Sequence, residues 1–150
     1  MNSVEEFNIE YIDDLGQVCD YILPYVVPGT IFLLDGPMSS GKTSLIYKLL
    51  SRLNIFCVSS PTYTIHQVYE YEHKKINHMD LHRLETADDI DSAGIWDLFS
   101  ATADIFFIEW AQKIPISNWP LNFKILQIDI NHKVDEPLSR VIKISEVQGF

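Results

Sequence analysis

The run Thr30-Ile31-Phe32-Leu33-Leu34 is apolar from its second residue onward, and almost at once the chain reads Gly36-Pro37-Met38-Ser39-Ser40-Gly41-Lys42-Thr43. Apolar residues without alternation predict a strand covered on both faces, which belongs in the middle of a parallel sheet. Behind the glycine-bearing stretch, Leu45, Ile46, Leu49, Leu50 and Leu53 recur at helical spacing and predict a helix over Ser44 to Leu53. Ile55-Phe56-Cys57-Val58 is then expected to be the next strand of a βαβ unit. A buried strand, a tight glycine turn and a helix in immediate succession restrict the chain to an α/β architecture. The expectation is a compact domain of three layers with a mixed, mainly parallel central sheet.

The flanking sequence extends that sheet. Phe7, Ile9 and Tyr11 alternate with Asn8 and Glu10, the period of a half-buried strand, and Asp13-Asp14 suit the start of a helix over Leu15 to Leu23 that Pro24 and Pro28-Gly29 end. Thr64 to Glu72 and Lys75 to Asp80 read as a hairpin turning near His73, an insertion relative to the parallel strands. Short helices are expected near Ala87 to Ile90 and Ile95 to Phe99. Ile105-Phe106-Phe107-Ile108 is a second apolar strand, and Phe123 to Ile130 and Arg140 to Ser145 complete the sheet. At 150 residues, a single domain spanning 1–150 is expected, because a chain of this size buries about 70% of the surface it exposes when unfolded.

Charge narrows the function classes. With 21 acidic against 11 basic side chains, the formal charge is −10, and the average field repels a nucleic-acid backbone, so direct tRNA or DNA binding is not expected. The densest cationic group, Lys74-Lys75 beside His73, reads as a solvated turn. Met1 to Glu6 carries neither a basic region nor an apolar stretch behind it, and no run approaches the roughly 20 apolar residues that cross a bilayer. A cytoplasmic protein without membrane contact is expected. Cys19 and Cys57 lack any CxxC spacing and read as reduced, partly buried thiols.

Residues 36–43 match Gly-x-x-x-x-Gly-Lys-Ser/Thr, a P-loop, and each fixed position has a task at a triphosphate. Gly36 and Gly41 permit close backbone approach. The N–H groups of Ser39, Ser40, Gly41 and Ser44, at the loop and the following helix N-terminus, suit phosphate oxygens. Lys42 would bridge β- and γ-phosphates, and the Thr43 hydroxyl would enter a Mg²⁺ shell. A P-loop gives binding and not yet a reaction, so an acidic group near the metal is needed. Glu109 stands where Ile105 to Ile108 would carry it to the carboxyl end of a buried strand, and Asp80 ends Ile76-Asn77-His78-Met79. Ser60-Pro61-Thr62-Tyr63 is a stiffened loop that could bring the Thr62 hydroxyl near a γ-phosphate. His66, His73, His78, His82 and His132 show no zinc-ligand spacing and read as surface or strand residues.

Taken in order, the P-loop, Val58 to Thr64, Val68-Tyr69-Glu70-Tyr71, His78 to Leu84, the Gly94 region and Phe107-Ile108-Glu109-Trp110 resemble the bacterial TsaE (YjeE) ATPases of tRNA threonylcarbamoyladenosine biosynthesis. The resemblance runs from residue 35 to 113. It implies a P-loop NTPase-like fold, ATP and Mg²⁺ as cofactors, and Lys42 and Thr43 at phosphate and metal. It also implies Thr62 in a switch-like loop, Asp80 and Glu109 as acidic residues of the metal and water site, and Trp110 close to the nucleotide. The partners it implies are TsaD and TsaB, which carry the threonylcarbamoyl transfer; a monomer is expected when free. Three departures stand out: Met38-Ser39-Ser40 replaces a Leu-Gly-Ala-like stretch, losing a glycine, His82 replaces Tyr, and Tyr63 replaces Phe.

Other readings are weaker on the residues. A Ras-type GTPase needs an Asn-Lys-x-Asp segment, and Asn131-His132-Lys133-Val134-Asp135 has the wrong spacing. A small-molecule kinase needs an arginine lid, and the three arginines, Arg52, Arg83 and Arg140, are dispersed. A nucleotide-gated adaptor without turnover is the remaining alternative.

Overall fold

The computed structural model describes residues 3–56 and 65–149. Its strands are β1 (Val4–Ile9), β2 (Thr30–Asp35), β3 (His66–Tyr71), β4 (Lys74–Asp80), β5 (Ile105–Glu109), β6 (Lys124–His132) and β7 (Arg140–Gln148). They form a seven-stranded sheet in the order β1-β7-β6-β2-β5-β4-β3. The four central strands β6, β2, β5 and β4 are parallel, and the antiparallel pairings β1–β7, β7–β6 and β4–β3 lie toward the two edges.

Burial explains the order. Ile31 to Leu34 and Ile105 to Ile108 are at most 1% exposed, and only the centre of a sheet covered on both faces can accommodate two such strands side by side. Alternation along β2 then divides the core. Phe32 and Leu34 face the helices α1 (Leu15–Ile22) and α2 (Lys42–Ser51), which contribute Val18, Cys19, Ile22, Leu45, Ile46, Leu49 and Leu50. Ile31 and Leu33 face the opposite layer, where α3 (Ala87–Ser92), α4 (Ile95–Leu98) and the 3-10 turn at 111–113 with the residue that follows it bring Ile90, Ile95, Ala111 and Ile114. Three layers result, with the sheet in the middle, as expected.

Three sequence expectations change. Ile55 and Phe56 are not in a strand, and Cys57 and Val58 lie outside the described residues, so the return strand of the expected βαβ unit is not seen beside β2. The neighbours of β2 are instead β5 and β6, because the other strands of matching apolar character come later in the chain. The expected hairpin is present as β3–β4, joined to the sheet by the parallel pairing of β4 with β5, and its two-residue turn, Glu72-His73, has both φ values positive, 48° and 65°, the twist that matches antiparallel strands. The first strand stops at Ile9, since Asp14 Oδ2 accepts from the N–H groups of Glu10 and Tyr11 and turns the chain into a short 3-10 segment. The first helix stops at Ile22, and Leu23-Pro24-Tyr25 form a 3-10 turn. Cys19 is a buried free thiol. No helix among the described residues is long and apolar enough to cross a membrane.

Candidate functional site

Strand register brings the predicted acidic residues together. In the parallel pairing of β4 with β5, Asp80 stands beside Glu109 at the carboxyl ends of both strands. Residues two apart share a face, so His78 and Asp80 lie with Ile76, and Glu109 with Ile105 and Phe107, on the side packed by α2. That is the side on which α2 opens with Lys42 and Thr43. Ser39, Ser40, Gly41, Lys42, Thr43, Ser44, Asp80, Glu109 and Trp110 accordingly line one cleft of about 370 Å³, together with Met38 and His82. Thr62 lies outside the described residues.

The loop geometry shows what each glycine does. A Cβ on Gly36 would stand 2.3 Å from Ile130 O and 2.8 Å from Ser40 Oγ, so this residue must be glycine to pass β6, whatever the loop binds. Gly41 has open space around it but φ of 108°, which calls for glycine on backbone grounds. Lys42 curls back: Nζ donates to Gly36 O at 2.7 Å, to Pro37 O at 2.9 Å and to Ser40 Oγ at 3.4 Å, and lies 4.3 Å from the Trp110 ring centroid. All three ammonium protons therefore have acceptors. Burial pulls the Lys42 pKa down, against the carboxylates of Glu109, Asp80 and Asp35.

At the metal position anticipated from the sequence, Thr43 Oγ1 donates to Glu109 Oε1 at 2.6 Å. A hydroxyl and a carboxylate are hard oxygen donors, and with a second carboxylate on the neighbouring strand they fit Mg²⁺, which takes one or two carboxylates alongside phosphate and water. Asp80 is 4% exposed, and its Oδ1 accepts from the His82 N–H at 2.9 Å. Trp110 adopts φ of 59°, a left-handed turn that aims its ring over Lys42 and against His82, 4.8 Å between centroids. Backbone strain of this kind concentrates at functional sites.

Two groups escaped the sequence reading. His78, taken only as a strand residue, is fully buried, and its Nε2 lies 2.6 Å from Glu109 Oε2. Its Nδ1 has no partner among the described residues, so the ring donates through Nε2 and leaves Oε1 to Thr43. The i, i+2 spacing of His78 and Asp80 was the available signal, but it needed the β5 register to reveal its target. A second cavity of about 230 Å³ shares Ser39, Ser40, Gly41 and Ser44 with the cleft and adds Tyr11, Ile12, Ile130, Leu138 and Arg140. Those residues come from both ends of the chain, and no motif marks them.

Comparison with known proteins agrees with this geometry. The family model described as threonylcarbamoyl adenosine biosynthesis protein TsaE matches residues 9–142. The tRNA threonylcarbamoyladenosine biosynthesis protein TsaE of Borreliella burgdorferi is 38% identical over 109 residues, covering 68% of this chain and 79% of that protein. The protein of the same name from Synechocystis sp. is 34% identical over 119 residues, covering 76% of this chain and 74% of its own length. The crystal structure of Bacillus subtilis YdiB superposes with a TM-score of 0.75 at 21% identity, covering 98% of this chain and 88% of that one, a likeness of fold. A glycine loop between a buried strand and α2, with carboxylates at the ends of β4 and β5, is the P-loop NTPase arrangement, and the chain belongs to the TsaE family of tRNA threonylcarbamoyladenosine biosynthesis.

Proposed function

We propose that this chain binds Mg-ATP and hydrolyses it as the nucleotide-driven component of tRNA threonylcarbamoyladenosine modification, acting on a TsaD–TsaB complex. The observation that carries the reading is the 2.6 Å contact between the Thr43 hydroxyl and the Glu109 carboxylate beside a P-loop lysine, with Asp80 on the adjacent strand. ATP would supply the electrophilic phosphorus, and Mg²⁺ would offset phosphate charge.

The residues of the chain divide the work. Lys42 exchanges its own loop carbonyls for phosphate oxygens, since the acceptors that hold it, Gly36 O and Pro37 O, are neutral and phosphate is charged. Thr43 and Glu109 hold the ion. Asp80 or Glu109 orients the attacking water, while His78 fixes the rotamer of Glu109 through Oε2. Trp110 lies close to the nucleotide, and the second cavity, lined by both apolar residues such as Ile12, Ile130 and Leu138 and polar ones such as Ser39 and Ser44, receives the nucleoside where it leaves the loop at Ser44. Thr62 reports on the γ-phosphate. With an acidic chain of formal charge −10, contact with tRNA comes through the partners.

A switch of this kind requires the ATP and ADP states to differ in partner affinity. The test is phosphate release from ATP by the purified chain with Mg²⁺, alone and with TsaD, TsaB and tRNA, using Lys42→Ala as the blank. Slow release alone and faster release in the mixture are expected. Equal rates with and without the partners would refute partner stimulation, and binding without release under any condition would replace the ATPase with a nucleotide-gated adaptor.

A further inference from the structure

Within the phosphate loop, Ser39 combines a side chain with φ of 64°, whereas the other left-handed positions, Gly36 and Gly41, are glycines. For a residue bearing a Cβ, this conformation is disfavoured by about tenfold in population, and it persists only where the surroundings impose it. The surroundings here include Arg140, the first residue of β7. Its Nη2 donates to Ser39 O at 3.2 Å and its Nε to Ser40 O at 3.0 Å. The same guanidinium is anchored by Nη1, which donates to Pro137 O at 2.8 Å and Ser139 O at 3.2 Å. One rigid planar group thus ties two loop carbonyls to the β6–β7 connection.

The consequence for binding follows from peptide geometry. In a trans peptide the N–H points opposite the C=O. Holding Ser40 O toward Arg140 therefore aims the Gly41 N–H away from it, and Gly41 lines the cleft that also contains Lys42 and Thr43. Ser40 itself is 2% exposed, with its N–H donating to Pro37 O at 3.2 Å, so the brace acts on a segment already packed on its other side.

We propose that Arg140 is a positioning residue for phosphate binding: it holds Ser39 left-handed and keeps the loop in its binding conformation. The proposal rests on the nucleotide reading of the cleft. Because Arg140 also lines the adjoining cavity, a direct contact with nucleoside is the competing role, and inorganic pyrophosphate, which has no nucleoside, separates the two.

The experiment is calorimetric titration of Mg-pyrophosphate and Mg-ATP into the wild-type chain, Arg140→Lys, Arg140→Ala, Ser39→Gly and the double variants, with circular dichroism to confirm folding. Arg140→Ala should weaken both ligands by about tenfold, the population cost of an unsupported left-handed residue. In the Ser39→Gly background the same change should cost threefold or less, because glycine adopts φ of 64° unaided. Arg140→Lys, whose ammonium cannot span both carbonyls in one plane, should fall between and be rescued by Ser39→Gly in the same way, which keeps the test open if the alanine variant does not fold. Equal losses in both backgrounds, or a loss confined to ATP, would overturn the proposal. Failure of the wild-type chain to bind either ligand would overturn the nucleotide reading and this proposal with it, a result distinct from normal wild-type binding with unaffected Arg140 variants.

Discussion

Replacing Gly36 by alanine tests the idea that this glycine is demanded by the sheet before it is demanded by any ligand. The new Cβ would stand 2.3 Å from the Ile130 carbonyl oxygen on β6, a backbone atom that cannot swing aside, and 2.8 Å from Ser40 Oγ. Relief requires the loop entrance to move by about 1 Å away from β6, straining the β2–β6 ladder that ends at Asp35 and Asp129. Overpacking of this kind costs ~1–3 kcal/mol, and an alanine at φ of 153° adds backbone strain of ~1–2 kcal/mol. A total near 3 kcal/mol corresponds to a fall in Tm of about 6–12 °C for a chain of this size. Gly41→Ala is the control: nothing lies within 4 Å of its added Cβ, so only strain at φ of 108° remains, and its Tm should fall about half as far. Thermal unfolding without nucleotide, followed by circular dichroism, measures both. A Gly36→Ala protein melting within about 2 °C of wild type, or a Gly41→Ala protein melting below Gly36→Ala, would refute the argument.

Lys42→Ala should abolish ATP binding in a calorimetric titration, while Glu109→Ala should mainly lower turnover; equal loss of binding in both would contradict the division of roles. His78→Leu removes the donor to a carboxylate that is 2% exposed and should destabilise the fold by ~2–3 kcal/mol in urea while lowering kcat. His78→Gln, which keeps a donor of similar reach, should recover part of both, and a leucine variant as stable and active as wild type would show that the contact is idle. Burial raises the Asp35 pKa, against the hydrogen bond from Gln127, and the charge of Asp129 raises it further. A carboxyl whose folded pKa exceeds its unfolded value favours the fold at low pH, and that contribution is lost as pH rises through the folded pKa. Asp35→Asn should therefore be more stable than wild type at pH 7, with the gap closing as pH falls through the raised folded pKa toward the ordinary Asp value near 4, and an unchanged gap across that interval would refute the assignment.

Much of the fold could be read from particular residues. The unalternating runs at Ile31–Leu34 and Ile105–Ile108 identified the two central strands, because a strand with no polar face has nowhere else to go. The helical spacing of Leu45, Ile46, Leu49 and Leu50 identified the face of α2 that covers them. What local pattern misled was adjacency. Ile55-Phe56 looked like a strand by composition alone, yet strand formation needs a neighbour, and the positions beside β2 are taken by β5 and β6.

The sequence by itself determined the chemistry available: a glycine loop, Lys42 and Thr43 in consecutive positions, and carboxylates at the ends of two strands, all encoded by short-range spacing. Tertiary structure alone decided how those groups meet. The β4–β5 register set Asp80 beside Glu109 and brought His78 to Glu109 Oε2, and the arrival of β7 at the loop set Arg140 against the Ser39 and Ser40 carbonyls. Such contacts join residues whose separation along the chain carries no periodic signal, so they arise from the packing of the whole sheet and not from any local pattern.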